Sequence, residues 1–346
     1  MSRRSEFVEF VTEQMSFIGG LRVRAMFGGY GVYQDDCIFA IIVTTDCTSR
    51  QAPQGDNMNN ENGMSNILLA GGTGTVGREI VKGLVARGLS PRVLSRDPDK
   101  ALSLLGPSVE IVRGDYMQPA SLAAALRGVD VAYLATTPGP ELAEQEGAFI
   151  DAARTAKLRR LVKLSACGID DATDRIHRCH AVSEQRVRGS GLDYVILQPV
   201  MFMWNLLWEA ASIKRGKIAS AFGDGRMSFV DESDVADVAL VALTTPEHVG
   251  AVWAFGGPQA LSYYDVAATF SRVLGPKVEH MRLDETQFRE AAAALPDFVI
   301  EAIVSAATMA RAGMYEVPDR LIQERLGRRG RSLENWIEGN RGAFAD

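Results

Sequence analysis

Asn66-Ile67-Leu68-Leu69-Ala70-Gly71-Gly72-Thr73-Gly74-Thr75-Val76-Gly77 begins as a short apolar run and passes into a glycine-rich segment. Such a run predicts a strand buried on both faces. Beyond it, Val76, Ile80, Val81, Leu84 and Val85 recur at helical spacing as far as Gly88, so a helix follows the turn. Between the two, Gly71 and Gly74 let the backbone turn sharply and approach a pyrophosphate, while Gly77 lets the helix pack closely on its strand. The helix N-terminus then offers unpaired N–H groups and a partial positive charge to the phosphates, with Thr73, Thr75 and Val76 completing the expected contact set. A bare glycine pattern is weak evidence; the strand-turn-helix setting gives it its meaning.

Downstream, short apolar runs alternate with helical stretches. Strands are predicted at Arg92–Ser95, Val109–Val112, Val129–Leu134, Leu161–Leu164 and Tyr194–Leu197. This alternation predicts an α/β fold: a Rossmann-type, doubly wound parallel sheet covered on both faces, with ligands at the carboxyl ends of the strands. After Gly257, Tyr263, Val266, Ala267, Phe270 and Val273 repeat at helical spacing, as do Leu295, Phe298, Val299, Ile303 and Met309. They predict a smaller C-terminal α/β substrate lobe, mainly 258–346, over the open end of the cleft.

Upstream, residues 48–65 are polar and read as a linker. It separates a short α+β fragment, 1–47, from a nucleotide-binding domain at 66–346. In the fragment, Phe7, Val8, Phe10, Val11 and Met15 are spaced for an amphipathic helix, and Tyr30, Val32 and Cys37 to Val43 alternate as strands do.

The 346-residue chain is 47% hydrophobic and 23% charged, with 33 glycines and 13 prolines, a globular composition rather than a disordered or fibrous one. A net charge of -6 from mixed acids and bases gives no field for nucleic acid or an anionic membrane. The cluster Arg325, Arg328, Arg329 and Arg331 reads as a solvated helix face. Four cysteines, Cys37, Cys47, Cys167 and Cys179, lack zinc-site spacing and are too sparse for a disulfide scaffold, so no metal and a reducing, cytoplasmic setting are expected. Glu6, Glu9 and Glu13 follow the basic start where an export signal needs apolar residues. The most apolar stretch, Tyr194 to Trp208, is interrupted by Gln198, Pro199 and Asn205 and is too short for a membrane span. A small-molecule substrate is the expected partner, and oligomer formation is left open.

The second strand ends in Ser95-Arg96-Asp97. Arginine there suits the extra phosphate of NADP, whereas an acid would bond the ribose of NAD. Arg96 points to NADPH, with NADH the alternative should Asp97 take the position instead. Asp115 and Tyr116 after the third strand, and Ala135, Thr136 and Thr137 after the fourth, stand where adenine and ribose contacts fall.

Residues 64–346 resemble the NmrA-like atypical short-chain dehydrogenase/reductases. The resemblance rests on the Gly71–Gly77 turn, Leu164-Ser165-Ala166, Gly191-Leu192-Asp193-Tyr194 leading to Pro199, Phe202-Met203, Asn205, Asp234 to Ala239, Gly256 to Ser262, and the closing stretch from Leu326 to Phe344. Gln198 departs from the arginine that many members carry before the proline. Met26-Phe27-Gly28-Gly29-Tyr30-Gly31-Val32-Tyr33 resembles the start of the TfoX N-terminal domain family, a likeness that stops near Val43. A vestigial or fused fragment is expected there, an upstream extension of a protein that starts at Met58 or Met64 being one alternative.

The main branch of the dehydrogenase superfamily pairs a tyrosine with a lysine four positions later, which lowers the phenol's pKa. None of the eight tyrosines here has that lysine. At the matching helix, His177, His180 and Glu184 share one face, and Ser165 ends the preceding strand. His180 could relay a proton with Glu184 orienting it and Ser165 nearby; the bland alternative is an exposed His-Glu pair. The resemblance implies that Ser165, Pro199, Val200, Met201 and Phe202 contact the cofactor, and that Met201, Phe202 and Asn205 line the substrate pocket. Two functions follow. One is an NAD(P)H-dependent oxidoreductase passing hydride to a small apolar acceptor, quinone-like or a conjugated electrophile. The other is a non-catalytic NAD(P)-binding redox-sensing regulator.

Overall fold

A computed structural model describes residues 66–170, 173–245 and 247–344 in full and residues 21–26, 29–34 and 37–43 by their backbone. The chain divides into two compact units, Met1–Asn62 and Gly63–Asp346. In the first, β1 (Leu21–Met26), β2 (Gly29–Gln34) and β3 (Cys37–Val43) form an antiparallel sheet in sequence order. The last two strands follow the alternation in the sequence; β1 is an addition to it. The helix expected over Phe7 to Met15 and the linker at 48–65 lie outside the described residues.

The second unit opens with β4 (Ile67–Ala70), α1 (Thr75–Ala86), β5 (Arg92–Ser95), α2 (Pro98–Leu105), β6 (Glu110–Arg113) and α3 (Pro119–Ala125). It continues through β7 (Val131–Leu134), α4 (Leu142–Thr155), β8 (Arg160–Leu164), α5 (Arg175–Gly189) and β9 (Asp193–Pro199). A 3-10 helix (Met203–Glu209), α6 (Ala210–Lys214), β10 (Lys217–Ser220), β11 (Met227–Ser228), α7 (Glu232–Thr244), β12 (Ala251–Phe255) and β13 (Ala260–Leu261) come next. The chain closes with α8 (Tyr263–Leu274), β14 (Glu279–Arg282), α9 (Glu285–Ala291), α10 (Asp297–Arg311), α11 (Arg320–Leu326), α12 (Leu333–Gly339) and α13 (Arg341–Phe344).

Seven strands pair in parallel in the order β12-β9-β8-β7-β4-β5-β6. From β4 the chain winds outward through β5 and β6, then returns to β7 on the other side of β4. The switch point therefore lies between the carboxyl ends of β4 and β7, where such sheets bind ligands. Alternate strand residues feed the two faces. Leu69, Tyr133, Val162 and Val195 pack with Ile80 and Leu84 of α1 and Val235 and Val238 of α7. Leu68, Ala132, Leu161 and Ile196 pack with Leu122 of α3, Phe149 of α4 and Val187 of α5. Each fully buried side chain of this kind contributes about 1.5–3 kcal/mol by leaving water. The seventh strand, β12, is absent from the sequence expectation and extends the sheet beyond β9.

The smaller lobe has its own core, which joins Val200, Met203, Ile213, Ile218 and Phe222 to Val266, Phe270, Met309, Trp336 and Phe344. It therefore begins well before residue 258, because the chain leaves the sheet at the end of β9 and comes back for α7 and β12. Conversely, Ile322 of α11 belongs to the first core. The stripe expected from Leu295 also shifts: Leu295 precedes α10 and is exposed, and the helix buries Ile300, Ala306, Ala307, Met309 and Ala310.

The basic cluster near residue 328 is not a free surface. Asp234 of α7 is fully buried and is bound by Arg328 at 2.7 Å, by the Arg331 guanidinium and by the Arg331 backbone N–H at 2.6 Å. Arg329 meets Asp319 at 3.4 Å, and Arg325 lies over the Trp253 ring of β12. These contacts fasten the C-terminal segment to the sheet, and their partners lie too far away in sequence for a local charge pattern to reveal.

Candidate cofactor and active site

Gly71 follows β4 with φ +115°, and a Cβ there would stand 2.5 Å from the Ala135 carbonyl oxygen at the end of β7. The backbones on either side of the switch point thus approach as closely as a missing side chain allows. At Gly77 a Cβ would come within 2.0 Å of the Gly71 carbonyl oxygen, so α1 can sit against the turn only with hydrogen there. Gly72 fits against Val93, a packing role that the fingerprint reading left out.

Gly74 is the N-cap of α1 and supplies no side-chain cap, and the first turn carries no acid. Its open N–H groups and dipole therefore suit an anion. The cradle fits a dinucleotide pyrophosphate on all these counts. The Val76 side chain itself turns into the core, which leaves only its backbone N–H for the expected contact.

At the end of β5 the two rivals separate. The Asp97 carboxylate caps α2 by accepting from Lys100 N at 3.0 Å. Arg96 is exposed, and its guanidinium has no hydrogen-bond or ion-pair partner among the described residues. Arg113, at the end of β6, donates to the Arg96 carbonyl at 3.1 Å and brings a second guanidinium to the same edge. The sequence reading missed Arg113, although a basic residue closing the adjacent strand was there to be noticed.

Past β6 and β7, the expected contacts are partly occupied with bracing the crevice. Tyr116 donates its hydroxyl to the Ala135 carbonyl at 3.3 Å, and Asp115 accepts from Met117 N at 2.9 Å. Thr136 donates to Glu146 at 3.1 Å, while Thr137 stays exposed. Ser165 follows β8, is buried, and leaves its hydroxyl without a partner among the described residues. Orphaned buried groups of this kind call for a ligand or water.

The His-Glu pair expected on α5 does not form. His180 Nδ1 lies 3.3 Å from Lys163 Nζ, whereas Glu184 accepts from Gln198 at 2.8 Å and Arg188 at 3.0 Å. Gln198 thus serves as the neutral partner of a buried carboxylate, and Glu184 cannot orient His180. Neither group is exposed, which also removes the surface-pair alternative. Burial above all, and then the Lys163 charge, hold the His180 imidazole well below the ordinary histidine range. An imidazole so depressed is a poor proton relay.

His177 makes other contacts. Its Nδ1 is 2.7 Å from Asp174 Oδ2, and its Nε2 is 3.4 Å from the hydroxyl of Tyr315, which follows α10. Asp174 caps α5 through His177 N at 3.0 Å. Burial pushes the Asp174 carboxyl up, but hydrogen bonds from His177 and Ser305, together with the His177 charge, outweigh it and hold the carboxyl at about 2.

The residues expected to wall the cofactor stand at and beyond the end of β9. Pro199 accepts from Cys167 N, Val200 donates its N–H to Phe255, and Met201 and Phe202 join Val230 through main-chain bonding. Asn205 donates to Met201 Sδ at 3.1 Å, which ties two expected substrate contacts together. Trp208 is 65% exposed and packs edge-on against Trp204. A separate shallow concavity of about 720 Å³, between Tyr264, Arg272 and His280, involves none of these residues. Among the described residues no cluster of three metal-ligating side chains occurs, and no helix is long and apolar enough to cross a membrane.

A doubly wound sheet with an uncapped helix behind a glycine cradle defines a dinucleotide-binding α/β protein. Residues 71–246 match the NAD(P)H-binding family, and the chain belongs to it. The (4-alkanoyl-5-oxo-2,5-dihydrofuran-3-yl)methyl phosphate reductase of Streptomyces griseus is 37% identical over 283 residues, which cover 81% of this chain and 99% of that protein. The NAD(P)H azoreductase of Xenophilus azovorans is 37% identical over 227 residues, 65% of this chain and 79% of that one. The NADPH-dependent quinone oxidoreductase of Escherichia coli, solved with NADPH, is similar in structure with a TM-score of 0.74 at 23% identity, covering 80% of this chain and 99% of that one. At that identity the likeness concerns the fold.

Proposed function

We propose that the chain is an NADPH-dependent reductase of NmrA-like type that passes hydride to a small, apolar, conjugated acceptor such as a quinone, an azo compound or an enone. The observation that carries this reading is the cradle at the switch point, a glycine turn packed against the end of β7 and leading into an uncapped helix whose N–H groups are open to a pyrophosphate. Arg96 and Arg113 hold the extra phosphate of NADPH at the β5–β6 edge, since Asp97 is committed to its helix. Pro199, Val200, Met201 and Phe202 form the wall on the nicotinamide side, and Met201, Phe202 and Asn205 face the acceptor. When bound, NADPH supplies the hydride.

The relatives support the conjugated character of the acceptor, although the substrate named for the first also carries a charged phosphate ester. The substrate named for the Streptomyces griseus reductase has a ring double bond conjugated with two carbonyls, and the Xenophilus azovorans protein is named for azo reduction. Residues 66–346 act as one catalytic unit in this reading, with residues 1–47 an appended module. The test is NADPH oxidation by the purified chain across quinones, azo dyes and doubly activated enones. Turnover with at least one class is the expected result. Tight NADPH binding without turnover on any of them would contradict it and identify a dinucleotide-reporting regulator.

A further inference from the structure

Lys163 of β8 is wholly buried, as is the Glu146 carboxylate 2.9 Å from it. An ammonium carries three protons and can accept nothing. All three protons of Lys163 have acceptors: Glu146 Oε2, the Leu164 carbonyl at 2.9 Å and His180 Nδ1 at 3.3 Å. Glu146 also accepts from the hydroxyls of Thr136 and Ser183, so both of its oxygens are engaged. Because Lys163 only donates, the lone pair of His180 must sit on Nδ1 and its proton on Nε2. A second proton on the ring would set N–H against N–H in a site where the residue is 8% exposed.

The position of the ring gives this tautomer a use. Leu164, which shares Lys163 with His180, is the last residue of β8, and Ser165 with its unpartnered hydroxyl comes next. His180 Nε2 likewise has no hydrogen-bond partner among the described residues, its one such contact being through Nδ1. Ser165 thus follows the carboxyl end of β8, and His180 of α5 is tied to that same strand end through Lys163, whose Nζ also donates to the Leu164 carbonyl.

We propose that His180 is a neutral hydrogen-bond donor whose Nε2–H, fixed by Lys163, acts with the Ser165 hydroxyl to hold the acceptor atom on which negative charge develops. The assignment rests on the reductase reading above. No bond to hydrogen breaks at His180. As hydride adds to one end of the conjugated acceptor, the electron pair moves to the heteroatom at the other, the two donors stabilise it there, and solvent water protonates it afterwards. Lys163 is a positioning residue: it acts through His180, setting which of its nitrogens bears the proton. The titratable groups around the ring are Lys163 from β8, Glu146 from α4 behind it, His177 on α5 and Asp174 at its N-cap; of those that act on its titration, only Asp174 favours protonation.

Nitrogen-15 NMR of the histidine rings in the dinucleotide-free protein tests the tautomer, with His180→Gln used to assign the signal. A ring that stays neutral with its proton on Nε2 from about pH 5 to pH 8, where free histidine titrates, is expected. In NADPH-dependent turnover, His180→Gln retains a donor and keeps kcat within about tenfold, whereas His180→Leu loses about 10²–10³, the usual effect of removing one such donor. The dissociation constant of NADPH should stay within about threefold in both variants, less than one lost neutral hydrogen bond would cause. A ring that titrates in this window, a proton found on Nδ1, or a His180→Leu enzyme as fast as wild type would overturn the proposal. A wild type that reduces no acceptor removes the reductase reading and the catalytic role together, whereas a wrong tautomer removes this proposal alone.

Discussion

Replacing Gly71 by alanine tests the crevice through its narrowest contact. The new Cβ would lie 2.5 Å from the Ala135 carbonyl oxygen and 3.1 Å from the Ala135 Cβ, at a residue whose φ is +115°. The backbone term alone costs about 1–3 kcal/mol for a side chain held in such a conformation. Forcing the turn away from the end of β7 adds about 1–3 kcal/mol of overpacking. Together these give a loss of about 2–6 kcal/mol, or a fall in Tm on the order of 5–20 °C for a unit of this size. Because the displaced atoms form the cradle, NADPH affinity should also fall at least tenfold, about 1.4 kcal/mol. Gly88→Ala is the control: φ is +76° there, but nothing lies within 4 Å of the new Cβ, so stability drops about 1–2 kcal/mol and affinity is unchanged. Thermal denaturation with and without NADPH measures both quantities. A Gly71→Ala protein matching Gly88→Ala in Tm and in NADPH affinity would refute the cradle as described.

Arg96→Ala should weaken NADPH binding about 10- to 100-fold, the loss of one charged hydrogen bond, and leave NADH binding unchanged; Asp97→Ala should cost about 1 kcal/mol of stability as a lost cap without altering the preference between the two, both read by calorimetry. Asp174, held at about 2 against an ordinary 3.8, contributes stability that is fully present above about pH 4 and is lost as pH falls through 2. That term, about 2 kcal/mol, should vanish from the acid side of the stability curve in Asp174→Asn, which keeps the helix cap. Asp234→Ala leaves Arg328 and Arg331 without their buried partner and should cost about 3 kcal/mol, near the low end for a broken buried pair because both guanidiniums are partly in water; equilibrium denaturation checks it.

The parallel sheet and the phosphate turn were legible because both are written locally, in runs of four or five apolar residues and in glycine positions a few residues apart. β12 carried a comparable signal, Ala251-Val252-Trp253-Ala254-Phe255 between Gly250 and Gly256, and could have been read the same way. The partners of Glu184, His180 and Arg331 could not. Glu184 and His180 are one helical turn apart and invite pairing, yet each is satisfied by a strand that the chain reaches elsewhere: Gln198 on β9 and Lys163 on β8. Arg96 and Asp97 were ambiguous in sequence for a related reason, since only the start of α2 shows which of them is already engaged.

Titration of the intact chain with NADPH and then NADH by isothermal calorimetry addresses the dinucleotide site without any assumption about the acceptor. One NADPH per chain, bound more tightly than NADH, is the predicted result. Absence of saturable binding by both nucleotides would contradict the account at its root.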